Sequence, residues 1–159
     1  MQDARWRLYL ADRITPVGRQ AGELRHARRI SGLLVKDHVF ELPLVHARGG
    51  EGSRDERTLS VFAREVVLPE RDADDLPWLV FLQGGPGHGA PRPLERDGWI
   101  RRATEEFRVL LLDQRGTAGS PLTDAQWDAE RAEPSGAFTF AGAIADLEAV
   151  RTALGLESW

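Results

Sequence analysis

The chain has no cysteine among its 159 residues. That excludes a disulfide framework, a thiolate nucleophile and a cysteine-ligated zinc site. Long apolar runs are missing too, and nothing approaches the ~18 residues that a membrane-crossing helix needs. The opening Met1-Gln2-Asp3-Ala4-Arg5-Trp6-Arg7 lacks the basic start and apolar core of a secretory signal. The sequence therefore points to a cytoplasmic protein with no membrane partner. Positive charge is not in excess: 21 basic against 25 acidic residues leave a net charge of −4. Nucleic acid is excluded as a partner on that ground, since its recognition needs a basic patch or stripe. The local cluster Arg25, His26, Arg28 and Arg29 reads as a solvated face of an N-terminal segment. The four histidines are too scattered to hold a metal, and no cofactor motif is present. Gly84-Gly85-Pro86-Gly87 lacks Gly-x-Gly-x-x-Gly spacing, and no Gly-Lys-Ser/Thr follows it.

What remains is ordinary globular composition, 42% hydrophobic and 29% charged, in a chain long enough for one domain with a sizeable core. Residues 1–30 form an N-terminal segment of uncertain order, with a short strand expected over Trp6–Leu10 and one or two helical turns over Gly22–Arg29. From residue 31 the pattern sharpens. Val35–Val45 alternates as a strand, and Pro43 assigns it to an edge. The polar stretch Ala47–Glu56 connects it to a second strand, Thr58–Leu68, as an antiparallel pair. Trp78–Leu82 is five consecutive apolar residues, suited to a strand buried on both faces. A helix near Leu94–Thr104 and a further buried strand at Arg108–Leu112 make a parallel pair with a helical crossover. A long polar loop continues to Ser135. A final helix over Phe138–Leu154 carries Phe140, Ala143, Ile144, Leu147, Val150 and Leu154 at three- and four-residue spacing, with Gly155 as its stop. Leu156–Trp159 looks like the approach to another strand.

The strongest signals are two strand-to-loop junctions. Leu79–Leu82 runs into Gln83-Gly84-Gly85-Pro86-Gly87, and Val109–Leu112 runs into Asp113-Gln114-Arg115-Gly116. These two turns, with Val61-Phe62-Ala63-Arg64-Glu65-Val66-Val67, Pro91-Arg92-Pro93 and Ala145–Arg151, resemble the proline iminopeptidase family of α/β-hydrolases over residues 31–159. Gln83 stands where the family usually has histidine. The resemblance implies an α/β fold that is the N-terminal half of an α/β-hydrolase domain: an antiparallel strand pair, then parallel strands with crossover helices, ending before the strand that leads to the nucleophile. It implies a cofactor-free serine hydrolase whose substrate is a peptide with a free N-terminus, proline preferred.

In that family the loop after the third strand supplies one backbone N–H of the oxyanion hole. By resemblance this donor is Gly85, with Gly84 and Gly87 allowing close approach, Pro86 fixing the turn through a cis bond, and His88 near the substrate. Gln83, Asp113, Gln114, Arg115 and Gly116 are expected to hold neighbouring loops, with Arg115 paired to a carboxylate.

The nucleophile needs a Gly-x-Ser-x-Gly elbow followed in the chain by its acid and histidine. None of Ser31, Ser53, Ser60, Ser120, Ser135 and Ser158 has that setting, and Ser120 is a decoy. The 159 residues alone are thus expected to be inactive. Without the next strand, Trp78–Leu82 is expected to expose an edge that invites self-association. Two other readings remain open. One is an esterase, lactonase or epoxide hydrolase of the same fold. The other is a non-catalytic product that binds a complementing chain.

Overall fold

A computed structural model describes residues 22–46, 56–84, 87–132 and 134–159. The strand expected over Trp6–Leu10 lies outside the described residues, as does nearly all of the Ala47–Glu56 connection. Five strands form one mixed sheet: β1 (Glu23–Ile30), β2 (Leu33–Pro43), β3 (Thr58–Val67), β4 (Trp78–Leu82) and β5 (Arg108–Leu112). Their spatial order is β1-β2-β3-β5-β4. Strands β1, β2, β3 and β5 are antiparallel neighbours in turn. Only β4 and β5 run parallel, joined by a crossover that contains helix α1 (Gly98–Ala103). Helices α2 (Asp124–Ala132) and α3 (Phe140–Ala153) follow.

Several expectations are corrected. Gly22–Arg29 is not helical: Glu23–Ile30 is a strand hairpinned to β2 through Ser31-Gly32, both at positive φ (46° and 81°). A two-residue turn with both central residues left-handed matches the twist of the strands it joins. Strand β2 is an interior strand, paired on both sides. Pro43 fits there because β1 reaches only as far as Val39, so the flank of Pro43 away from β3 is open. Strand β4 lies at the sheet edge as expected, but it is only half-buried rather than buried on both faces, with Leu79 and Leu82 exposed; the fully buried strand is its neighbour β5. Helix α1 is shorter than Leu94–Thr104 because it starts after Asp97, past Pro91 and Pro93. The polar region after Gly116 contains α2, which buries none of its residues. Leu156–Trp159 forms no strand, and Trp159 instead packs toward the core beneath α3.

The two faces of the sheet are covered separately. On one, Ile100 and Ala103 of α1 pack over Leu33, Val35, Val66, Val109 and Leu111. On the other, Val150 of α3 joins Phe40, Val61, Ala63, Leu110 and Leu112. Alternate residues of β5 thus feed opposite cores, as the two-residue period of a strand dictates. Helix α3 begins at Thr139, whose hydroxyl accepts from the Gly142 N–H (3.2 Å). It ends at Gly155 (φ 72°), with Gly155 N donating to the Thr152 carbonyl (3.0 Å) and Leu156 N to that of Arg151 (3.1 Å). That paired arrangement satisfies the last free carbonyls of the helix. Its inward face differs from the expected stripe: Phe140 is 88% exposed while Asp146 is 1% exposed. A specific partner, Arg115, draws the carboxylate inside.

Candidate active site at the ends of the parallel strands

Strands β4 and β5 pair in register from Trp78↔Arg108 to Leu82↔Leu112. The glycine loop and the Asp113 turn therefore leave the sheet side by side. Ligand clefts in open α/β sheets form outside the carboxyl ends of such strands.

Two contacts tie the loops together. The Gln114 side-chain amide donates to the Gln83 carbonyl (3.2 Å), and Gln83 turns its own amide onto the Gly84 carbonyl (2.9 Å). The buried Asp113 carboxylate makes the second tie. Its Oδ1 accepts from Ala90 N (2.7 Å) and its Oδ2 from Gly119 N (2.9 Å). Hydrogen bonds to an ionised acceptor are the strong class, so one side chain fixes the far end of the glycine loop against the turn after β5. Gly89 is required at this junction: a Cβ there would overlap Ala118 Cβ and lie 2.8 Å from Asp113 Oδ1. Gly87 sits at φ 97°, in the left-handed region. Gly84 faces open space, and His88 is exposed. Gly85 and Pro86 lie outside the described residues, and with them the oxyanion donor and the cis bond assigned by resemblance.

Ser120 is fully buried, its hydroxyl donating to the Asp113 carbonyl (2.8 Å) and accepting from Phe62 N (2.8 Å). Both bonds are structural and leave no path to a substrate. The turn it closes is tight, with Gly116 at φ 77° donating to the Ser120 carbonyl (2.8 Å).

Arg115 lies beneath this turn. It donates to Asp146 through Nε (2.7 Å) and Nη2 (2.5 Å), and to the carbonyls of Leu44 (2.7 Å), Ala137 (3.0 Å) and Pro43 (3.3 Å). One planar guanidinium thus joins the end of β2, the turn after β5 and α3, a task suited to its fixed fork of donors. His46 completes the group at 2.7 Å from Asp146 Oδ1. Sequence reasoning missed this histidine–carboxylate pair, whose members are 100 positions apart and carry no local motif. It is not a catalytic dyad in waiting, because Asp146 is already engaged by Arg115 through both oxygens.

A second charged network sits toward the opposite end of β5. Glu65 accepts from His38 Nε2 (2.9 Å), from Lys36 Nζ (3.3 Å) and from Arg108. Asp72 meets Lys36 and Arg108 as well. Burial pushes the Glu65 carboxyl up, but the His38 hydrogen bond, the Lys36 charge and Arg108 outweigh it and hold it below its ordinary value. Asp37 behaves likewise: burial raises it, and Arg64 with Arg28 brings it below the usual carboxylate range. Among the described residues no group of three or more histidine or acidic side chains is placed to hold a metal ion. No helix among them is long and apolar enough to cross a membrane.

The arrangement is that of a mixed α/β sheet with two pinned loops at the carboxyl ends of its parallel strands. The chain is related to proline iminopeptidases: it is 48% identical over 97 residues to a proline iminopeptidase of Aeromonas sobria, covering 61% of this chain and 22% of that protein. It is also 44% identical over 87 residues to proline iminopeptidase aneH of Aspergillus aculeatus, covering 53% of this chain and 18% of the relative. The matched region is thus about a fifth of each relative's length. No protein-family model matches the chain.

Proposed function

We propose that the chain is the N-terminal part of a serine-type α/β-hydrolase that removes N-terminal residues, proline preferred, from peptides. It contributes the oxyanion-hole loop. The observation that carries this reading is the pinned pair of loops at Leu82 and Leu112, in a chain that shares 48% identity with a proline iminopeptidase. In acyl transfer, negative charge builds on the carbonyl oxygen, and each N–H aimed at it lowers the barrier by ~2.7–4 kcal/mol. The Gly85 N–H takes this role, with Gly84, Pro86, Gly87 and His88 beside the substrate. Asp113, Gln114, Arg115 and Gly116 hold the loop rather than react. The whole enzyme works in the cytoplasm without a cofactor.

The Ser, Asp and His of the triad come from outside these 159 residues. Accordingly the 159-residue polypeptide hydrolyses a proline arylamide no faster than buffer, and a serine-directed phosphonate leaves no adduct on it. Turnover by this polypeptide, blocked by the phosphonate, would overturn the reading.

A further inference from the structure

Beneath the glycine loop, on the α1 side of the sheet, lies a cavity of about 110 Å³ that the hydrolase reading does not use. Phe62 and Arg64 of β3, Leu111 of β5, residues 89–91 and Arg92 line it. Arg64 is 4% exposed. Its Nε donates to Asp37 Oδ1 (2.6 Å), while Nη1 and Nη2 have no hydrogen-bond partner among the described residues. The guanidinium carbon lies 5.2 Å from the centre of the Phe62 ring, which fixes the plane of the fork. Neither Nη is sealed from solvent, so both open onto the cavity and are available to a solute that enters it.

The balance of charge favours an anion. Asp37 is shared between Arg64 and Arg28 (3.0 Å), so it does not fully neutralise either. Arg92 is exposed and has no ion-pair partner among the described residues. The Asp113 carboxylate also lines the cavity, but each of its oxygens already receives a backbone N–H. The space is smaller than the ~150 Å³ cavity that holds benzene. That size admits a few heavy atoms, and two parallel Nη groups match the two oxygens of a carboxylate.

We propose that this cavity binds a small carboxylate, gripped by the free Nη groups of Arg64 and steadied by Arg92. The proposal stands apart from the hydrolase reading and survives its failure. The carboxylate could belong to a free small acid or to the C-terminus of a short peptide.

The test is thermal unfolding of the full 159-residue chain in sodium acetate, with sodium chloride at equal ionic strength as reference. Acetate should raise the midpoint saturably, by about 3–6 °C at ten times its dissociation constant. Glycylglycine and its C-terminal amide distinguish the sources. A peptide occupant requires stabilisation by the free acid and none by the amide, whereas a free acid as occupant gives an effect with acetate alone. Arg92→Gln changes an exposed residue and should weaken acetate at least threefold, and Arg64→Gln should abolish saturation. If Arg64→Gln does not fold, Arg92→Gln decides. An acetate shift no larger than that of chloride, or an undiminished shift in Arg92→Gln, overturns the proposal.

Discussion

Replacing Arg115 with methionine removes five hydrogen bonds at once, two to Asp146 and three to backbone carbonyls. Both charged side chains are almost wholly buried, at 3% and 2% exposure. Methionine fills much of the volume but leaves the Asp146 carboxylate with His46 as its one remaining side-chain partner among the described residues. Removing one member of a buried ion pair typically costs 3–5 kcal/mol, because the other charge stays desolvated. A total stability of ~5–15 kcal/mol makes that a large share. In urea, with an m-value near ~2 kcal/mol/M, the midpoint should fall by about 2 M. Arg115→Lys keeps the charge but not the fork, so it should lose about half as much. Asp146→Leu combined with Arg115→Met should cost clearly less than the sum of the two single changes, since neither charge is then stranded. Urea titrations followed by far-ultraviolet circular dichroism measure all four. A loss below ~1 kcal/mol for Arg115→Met, with an unchanged m-value, would refute the view that this side chain staples β2, the β5 turn and α3 together.

Gly89→Ala should destabilise by ~1–3 kcal/mol through overlap with Ala118 and Asp113, while Gly84→Ala, facing open space, should stay within ~0.5 kcal/mol; equal effects in urea titrations would contradict the packing described. Acidification should weaken the fold. Glu65 and Asp37 are held below their ordinary 4.5 and 3.8, so their contribution is complete above the unfolded values and lost as pH falls through the lower folded ones. The urea midpoint should be flat from about pH 7 to 5 and fall below that, with a smaller fall in Glu65→Gln; a midpoint that rises on acidification would sink the assignment. Leu82 is 50% exposed on the edge strand, and Leu82→Lys should shift sedimentation toward monomer if copies pair along β4. An unchanged distribution of self-associated species would count against that edge.

The two parallel strands were legible because Trp78–Leu82 and Val109–Leu112 are short, uninterrupted apolar runs that end in glycine-marked turns. Strand β1 was not, since seven of its eight residues are exposed and four of the eight are charged; its one clue was the Ser31-Gly32 pair, suited to a tight hairpin. Helix α2 buries nothing, so it has no apolar stripe to read. Pro43 misled because a proline argues against pairing only on the flank where its missing N–H would be needed, and β1 stops short of it. In the candidate site the loops could be placed from their sequences, but what holds them could not. The Asp113 bonds to Ala90 and Gly119, the burial of Ser120 and the His46–Asp146–Arg115 group all join segments distant in the chain. The free fork of Arg64 was hidden inside an apparently ordinary strand, where an arginine between Ala63 and Glu65 looks like a solvated residue.

The most direct measurement exchanges the 97 aligned residues of the Aeromonas sobria proline iminopeptidase for those of this chain and assays release of N-terminal proline. If the two loops here form the oxyanion-hole half of the same site, the chimera works within about tenfold of its parent, a change of ~1.4 kcal/mol in barrier, and Gly89→Ala in the chimera lowers the rate sharply. A chimera that folds like its parent yet releases no proline would contradict the account.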